Sequence, residues 1–81
     1  MTNIKKYNEA FFKVFNIPES QLETLEYKQT VEWNSMAQIA LVAQLEEVFE
    51  LDFDMEDIYD LKSYQAGKAL LTNKFGIHFD E

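Results

Sequence analysis

Residues 30–50 read Thr30-Val31-Glu32-Trp33-Asn34-Ser35-Met36-Ala37-Gln38-Ile39-Ala40-Leu41-Val42-Ala43-Gln44-Leu45-Glu46-Glu47-Val48-Phe49-Glu50. Within this stretch a loop gives way to a strongly periodic helix. Ile39, Val42, Leu45 and Phe49 recur at three- and four-residue spacing, the pattern of one helical face. Leu41 and Val48 widen the stripe. A helix from about Ser35 to Glu50, roughly 24 Å long at 1.5 Å per residue, is therefore expected at the centre of the fold.

Working outward, Ile4, Tyr7, Phe11, Val14 and Phe15 form the buried stripe of a first helix over Asn3 to Asn16. Pro18 stops it, because the residue before a proline is biased away from the α region. Residues 17–34 form a long connection, a length uncommon in a compact domain unless it has a role. Ile17, Leu22, Leu25, Val31 and Trp33 are expected to pin it, and Ser20 to Leu25 has room for a turn of helix. A short third helix is expected over Met55 to Asp60, capped by Asp54. A fourth starts near Ser63 and runs to about Phe75, with Tyr64, Leu70, Leu71 and Phe75 inward and Gly76 as its stop. The tail Ile77-His78-Phe79 is expected to fold back. With two glycines and one proline, tight hairpins have few candidates, and no segment alternates apolar and polar for long. The expectation is an all-α chain of four helices, with residues 1–81 as one domain.

A chain of 81 residues has a small core, burying roughly 60% of its unfolded surface. An apolar fraction of 47% argues against disorder. With no cysteine, neither disulfides nor thiolate metal sites hold the fold. The apolar stretches are too short to cross a bilayer, and Met1 to Lys6 lacks the apolar region of a secretory signal, so a cytoplasmic location is expected. A net charge of −8 repels nucleic acid and anionic membranes and favours basic partners. Between Glu46 and Asp60 lie Glu46, Glu47, Glu50, Asp52, Asp54, Glu56, Asp57 and Asp60, with no cation. Such a run is ordinarily a solvated face. Its position two to three turns after Ser35 makes it a candidate docking surface.

Ser35 admits two readings. Ser35-Met36-Ala37-Gln38 fits a capping box in which Gln38 reaches back to the serine. Asn34 can cap the helix equally well, which would leave the Ser35 hydroxyl free to face solvent in the first turn. A phosphodiester there would sit beside unpaired N–H groups and the positive end of the helix dipole.

Asn34-Ser35-Met36, followed at matching spacing by Leu45-Glu46-Glu47-Val48-Phe49, resembles the acyl carrier protein family. There, the Asp-Ser-Leu motif opens helix two, and Leu-Glu-Glu-x-Phe lies in its second half. Glu50-Leu51-Asp52-Phe53 and Asp57-Ile58 resemble the path into helix three, and Ser63-Tyr64 the start of helix four. The resemblance spans nearly the whole chain. It implies a four-helix carrier bundle with a long loop between helices one and two, a short third helix and a monomeric state. It also implies 4′-phosphopantetheine attached to Ser35, flanked by Asn34 and Met36, and installed by a phosphopantetheinyl transferase. The chain would be a non-catalytic carrier, serving acyl-loading and acyl-transfer enzymes with basic docking surfaces. Met36, Glu46, Glu47, Asp54 and Glu56 would form the partner surface. Val42, Leu45, Phe53, Ile58 and Leu61 would line an acyl pocket, although Phe11, Phe12, Phe15 and Phe49 could fill that space and leave room only for a short group. Trp33 and the tail from Tyr64 to Phe79 look most like discrete carriers of specialised pathways, polysaccharide or secondary-metabolite biosynthesis among them.

The departures are specific. Asn34 stands for the usual aspartate and Met36 for leucine, while Ala37 and Ala40 stand where fatty-acid carriers often have acids. The rival expectation is an acidic helical interaction module without a prosthetic group. A calcium-responsive protein is a weaker third. Asp52, Asp54 and Glu56 imitate a calcium loop, but Asp57 replaces its turn glycine and Ser63 its closing glutamate. His78 is the sole histidine, so no Ser-His dyad or metal pair is complete.

Overall fold

Thr2 opens the first helix by accepting a hydrogen bond from the Lys5 N–H at 3.3 Å. In the computed structural model, which describes residues 2–27 and 33–79, α1 spans Asn3–Phe15. Tyr7, Phe11 and Phe15, four residues apart, lie on one buried face with Asn8 and Ala10. Ile4 and Val14, expected in the buried stripe, are only half-buried at its edges. The stop is Asn16 rather than Pro18. Asn16 adopts the left-handed conformation at φ 54°, and its N–H bonds the Phe12 carbonyl, a geometry asparagine tolerates better than most residues. Pro18 instead leads a 3₁₀ helix, Glu19–Thr24, realising the expected turn of helix. Leu22 and Leu25 are buried anchors there. Val31, a further expected anchor, lies outside the described residues.

α2 spans Ser35–Phe49. Its buried side chains are Gln38, Leu41, Val42 and Leu45. Ile39, expected on the buried stripe, is 72% exposed. Gln38 takes the inward position, so the next residue is rotated outward by about 100°. α3 spans Met55–Asp60 and begins with a reciprocal capping box. The Asp57 N–H donates to Asp54 Oδ1 at 2.8 Å, and the Asp54 N–H to Asp57 Oδ2 at 3.2 Å.

α4 spans Tyr64–Phe75, capped by Ser63 and ended by Gly76 at φ 68°. Tyr64, Gly67 and Leu71 are its buried residues. Leu70 departs from expectation by staying half-exposed, since Gly67 and Leu71 take the inward line one turn apart. Gly67 is needed there because a Cβ would run into the Tyr7 hydroxyl and come within 2.7 Å of Leu61 Cδ1.

The core is one cluster to which α1, α2, α4, the 3₁₀ helix and the flanking segments all contribute. The Tyr7 hydroxyl donates to the Tyr64 carbonyl at 2.7 Å, and the Tyr64 hydroxyl donates to Asn8 Oδ1. Burial, and then the neighbouring Tyr64, push the Tyr7 phenol well above its ordinary pKa, so it remains a donor. The tail does fold back. Asn3 Nδ2 donates to the His78 carbonyl at 3.0 Å, and the Phe79 ring lies 5.2 Å from that of Tyr7. An isolated bridge joins Glu26 to Ser63, with the Tyr27 N–H donating to the Lys62 carbonyl at 2.8 Å. Among the described residues the secondary structure is otherwise helical, and no helix is long and apolar enough to cross a membrane.

Candidate functional site

Ser35 is the first residue of α2, and Asn34 is its cap. Asn34 Oδ1 accepts from the Ala37 N–H at 3.0 Å, and its carbonyl accepts from the Gln38 N–H at 2.9 Å. The two readings of the motif are thereby resolved in favour of Asn34. Gln38 does not reach back to the serine. Its Oε1 accepts from Trp33 Nε1 at 2.6 Å, and its Nε2 donates to the carbonyls of Ile58 and Leu61, both at 2.8 Å. The capping box fails because this amide is worth more inside, where it satisfies an indole donor and two carbonyls beside the end of α3.

Ser35 is exposed in consequence. By helix geometry its N–H and that of Met36 have no intrahelical partner. The Ser35 hydroxyl lies 3.1 Å from the Tyr27 hydroxyl. A phosphoester oxygen at this position would meet no covering side chain from α2 itself, since Met36 beside it is 81% exposed. The site fits an attached group that leaves toward solvent.

The structure places Ser35, Asn34 and Met36 together at the head of α2. The acidic residues are divided. Glu47 and Glu56 are exposed. Glu46 is half-buried, and its Oε2 accepts from the Phe53 N–H at 2.9 Å, pinning the entry to α3. Asp54 and Asp57 share Lys74, at 3.0 Å and 2.6 Å. The Asp57 N–H, followed by Lys74, holds the Asp54 carboxyl below its ordinary pKa, while Asp57 and Asp54 hold the Lys74 ammonium above its own.

Of the residues expected to line an acyl pocket, Leu45 and Leu61 are fully buried, Val42 is nearly so, and Phe53 and Ile58 are half-buried against the core. Ile58 also lines a surface groove of about 480 Å³ with Tyr27, Gln38, Met55, Tyr59 and Lys62. Of the aromatics, Phe11 and Phe15 fill the core, Phe49 packs at its edge, and Phe12 is exposed.

Sequence reasoning missed Gln38 as a buried latch and Tyr27 as the neighbour of Ser35. The signal for Gln38 was its place on the inward line, three and seven residues before Leu41 and Leu45. Comparison of the chain with protein-family models, with curated proteins and with solved structures found no match.

Proposed function

We propose that the chain is a discrete acyl carrier of the four-helix bundle type, with 4′-phosphopantetheine on Ser35 and a pinned loop between α1 and α2. The observation that carries this reading is an exposed serine hydroxyl in the first turn of α2, with Asn34 taking over the capping duty. In the attachment reaction Ser35 Oγ bonds to the phosphorus nearer the pantetheine of coenzyme A. The pyrophosphate bond breaks, adenosine 3′,5′-bisphosphate leaves, and the serine proton passes to a base of the transferase. The bound group supplies a terminal thiol that holds an acyl group as a thioester.

The rest of the work falls to the chain. Asn34 fixes the helix start, Met36 offers an apolar contact, and Glu47 and Glu56 steer basic partner enzymes, with Glu46 and Asp54 adding charge while holding α3. Such steering acts mainly on association rate. The proposed setting is the cytoplasm, with the carrier as a monomer in a specialised polysaccharide or secondary-metabolite pathway.

Incubation with coenzyme A and a broad-specificity phosphopantetheinyl transferase should add one phosphopantetheinyl mass to the intact protein, and Ser35→Ala should abolish it. An unchanged mass across several transferases, including one from the source organism, would defeat the reading. The second reading, an interaction module without an arm, is favoured by the exposed side chains Met36, Ile39, Met55 and Tyr59, and the same unchanged mass would support it.

A further inference from the structure

The hydroxyl 3.1 Å from Ser35 Oγ belongs to Tyr27, and this contact changes character once the serine is esterified. In the free protein either oxygen can donate. A phosphoester at Ser35 has no proton on Oγ, so only Tyr27 can then donate. The phosphate places non-bridging oxygens, which share its negative charge, two bonds beyond Oγ, within reach of the same phenol. Hydrogen bonds to ionised acceptors are roughly twice as strong as neutral ones.

Lys62 is tied to this place by backbone. Its carbonyl accepts from the Tyr27 N–H at 2.8 Å, and the residue lines the groove that Tyr27 also lines. Both ion pairs among the described residues belong to Lys74, so Lys62 brings an ammonium with no carboxylate partner there. In a chain of net charge −8, Lys62 is the cation that shares a groove with Tyr27.

We infer that Tyr27 and Lys62 are positioning residues that receive the phosphate carried on Ser35, the phenol by donation and the ammonium by charge, and so direct whatever follows the phosphate along the Met55–Ile58–Tyr59 side of the groove. This rests on the carrier reading for the source of the phosphate, but not for the recognition of it.

Two modified proteins separate these questions. One is the product of coenzyme A and a transferase. The other carries phosphoserine encoded directly at position 35, which needs no transferase. In each, the ³¹P signal of the folded protein should be displaced from its position in urea, and the Lys62 ammonium and Tyr27 ring signals should move relative to the unmodified protein. Lys62→Gln and Tyr27→Phe should each remove at least half of the ³¹P displacement without a matching loss of melting temperature, and Lys62→Arg should restore it. A purely structural role would move the melting temperature and leave the ³¹P displacement intact. If the folded phosphoserine protein shows the urea ³¹P position, or if neither substitution changes it, the inference is overturned. Failure of the transferase to add mass, with the phosphoserine protein behaving as expected, would sink the carrier reading and leave the phosphate-receiving pair standing.

Discussion

Toward α1 and α4, the inside of the molecule is a layer of rings. Phe11 touches Tyr7, Phe15, Trp33 and Tyr64, with centroids 4.9, 5.8, 5.6 and 5.2 Å away. Toward α3, attachment leans on polar groups: the Gln38 amide, the Glu46 carboxylate on the Phe53 N–H, and Lys74 between Asp54 and Asp57. Aromatic burial is non-directional and yields only when large areas separate. Hydrogen bonds give little net energy each, and water competes for them. The ring side should therefore behave as the permanent part of the fold and the α3 side as the part that opens first. The Ser35 site lies where the two meet, since Trp33 belongs to both.

The largest test of this contrast is Phe11→Ala. Removing a fully buried phenylalanine costs about 3–5 kcal/mol, a large share of the roughly 5–15 kcal/mol that holds a small domain. Urea unfolding should show loss of a stable native baseline, or a midpoint lowered by a large fraction. A change below 1 kcal/mol on the order of a surface substitution would refute the assignment of the ring layer as the permanent part.

Gln38→Leu is the sharper test. It leaves the Trp33 N–H and the Leu61 carbonyl without the Gln38 amide, at about 1–3 kcal/mol per orphaned group, offset in part by the apolar side chain, while the Ile58 carbonyl keeps the Leu61 N–H at 3.3 Å. A net loss of about 2 kcal/mol is expected. Amide exchange should accelerate at Ile58 in α3 and at Leu61 just beyond its end, well before it does at Phe11 or Phe15. Uniform acceleration across all helices would show that the amide supports the whole fold rather than one side of it.

The smallest effect concerns the Lys74 ion pairs. Asp54 is lowered from 3.8, so its contribution is complete above that value and is lost as pH falls through the lowered one. Lys74 is raised from 10.5, so its contribution is complete below that value and is lost as pH rises through the raised one. Both groups are solvent-screened and the effect is small. Lys74→Met should lower the melting temperature slightly at neutral pH, and the difference from the unmodified chain should shrink in acid below the ordinary aspartate range. A difference that stays constant into strong acid would assign the loss to packing of the lysine stem.

The helices were legible where pattern and cap agreed. α3 follows from Asp54 before Met55, and α4 from Ser63 at one end and Gly76 at the other, because these residues satisfy backbone groups locally. Ile39 and Leu70 were misread because apolar character alone does not say which residue wins the inward line when Gln38 or Gly67 competes for it. The Ser35 environment was legible only in part. Asn34 is adjacent in sequence, whereas Tyr27 arrives through its backbone bond to Lys62, a pairing between distant segments that no spacing records. The division of the acidic run had the same cause, for Lys74 reaches Asp54 and Asp57 from another helix.

Trp33 is the only tryptophan of the chain, and its indole is wholly enclosed with its N–H on Gln38. Its fluorescence is therefore a single-site optical gauge built into the native sequence. An enclosed indole emits at shorter wavelength than a hydrated one. Lifting α3 would disturb Gln38 and admit water to that ring, so a red shift in emission would time the opening of the α3 side in the unlabelled protein.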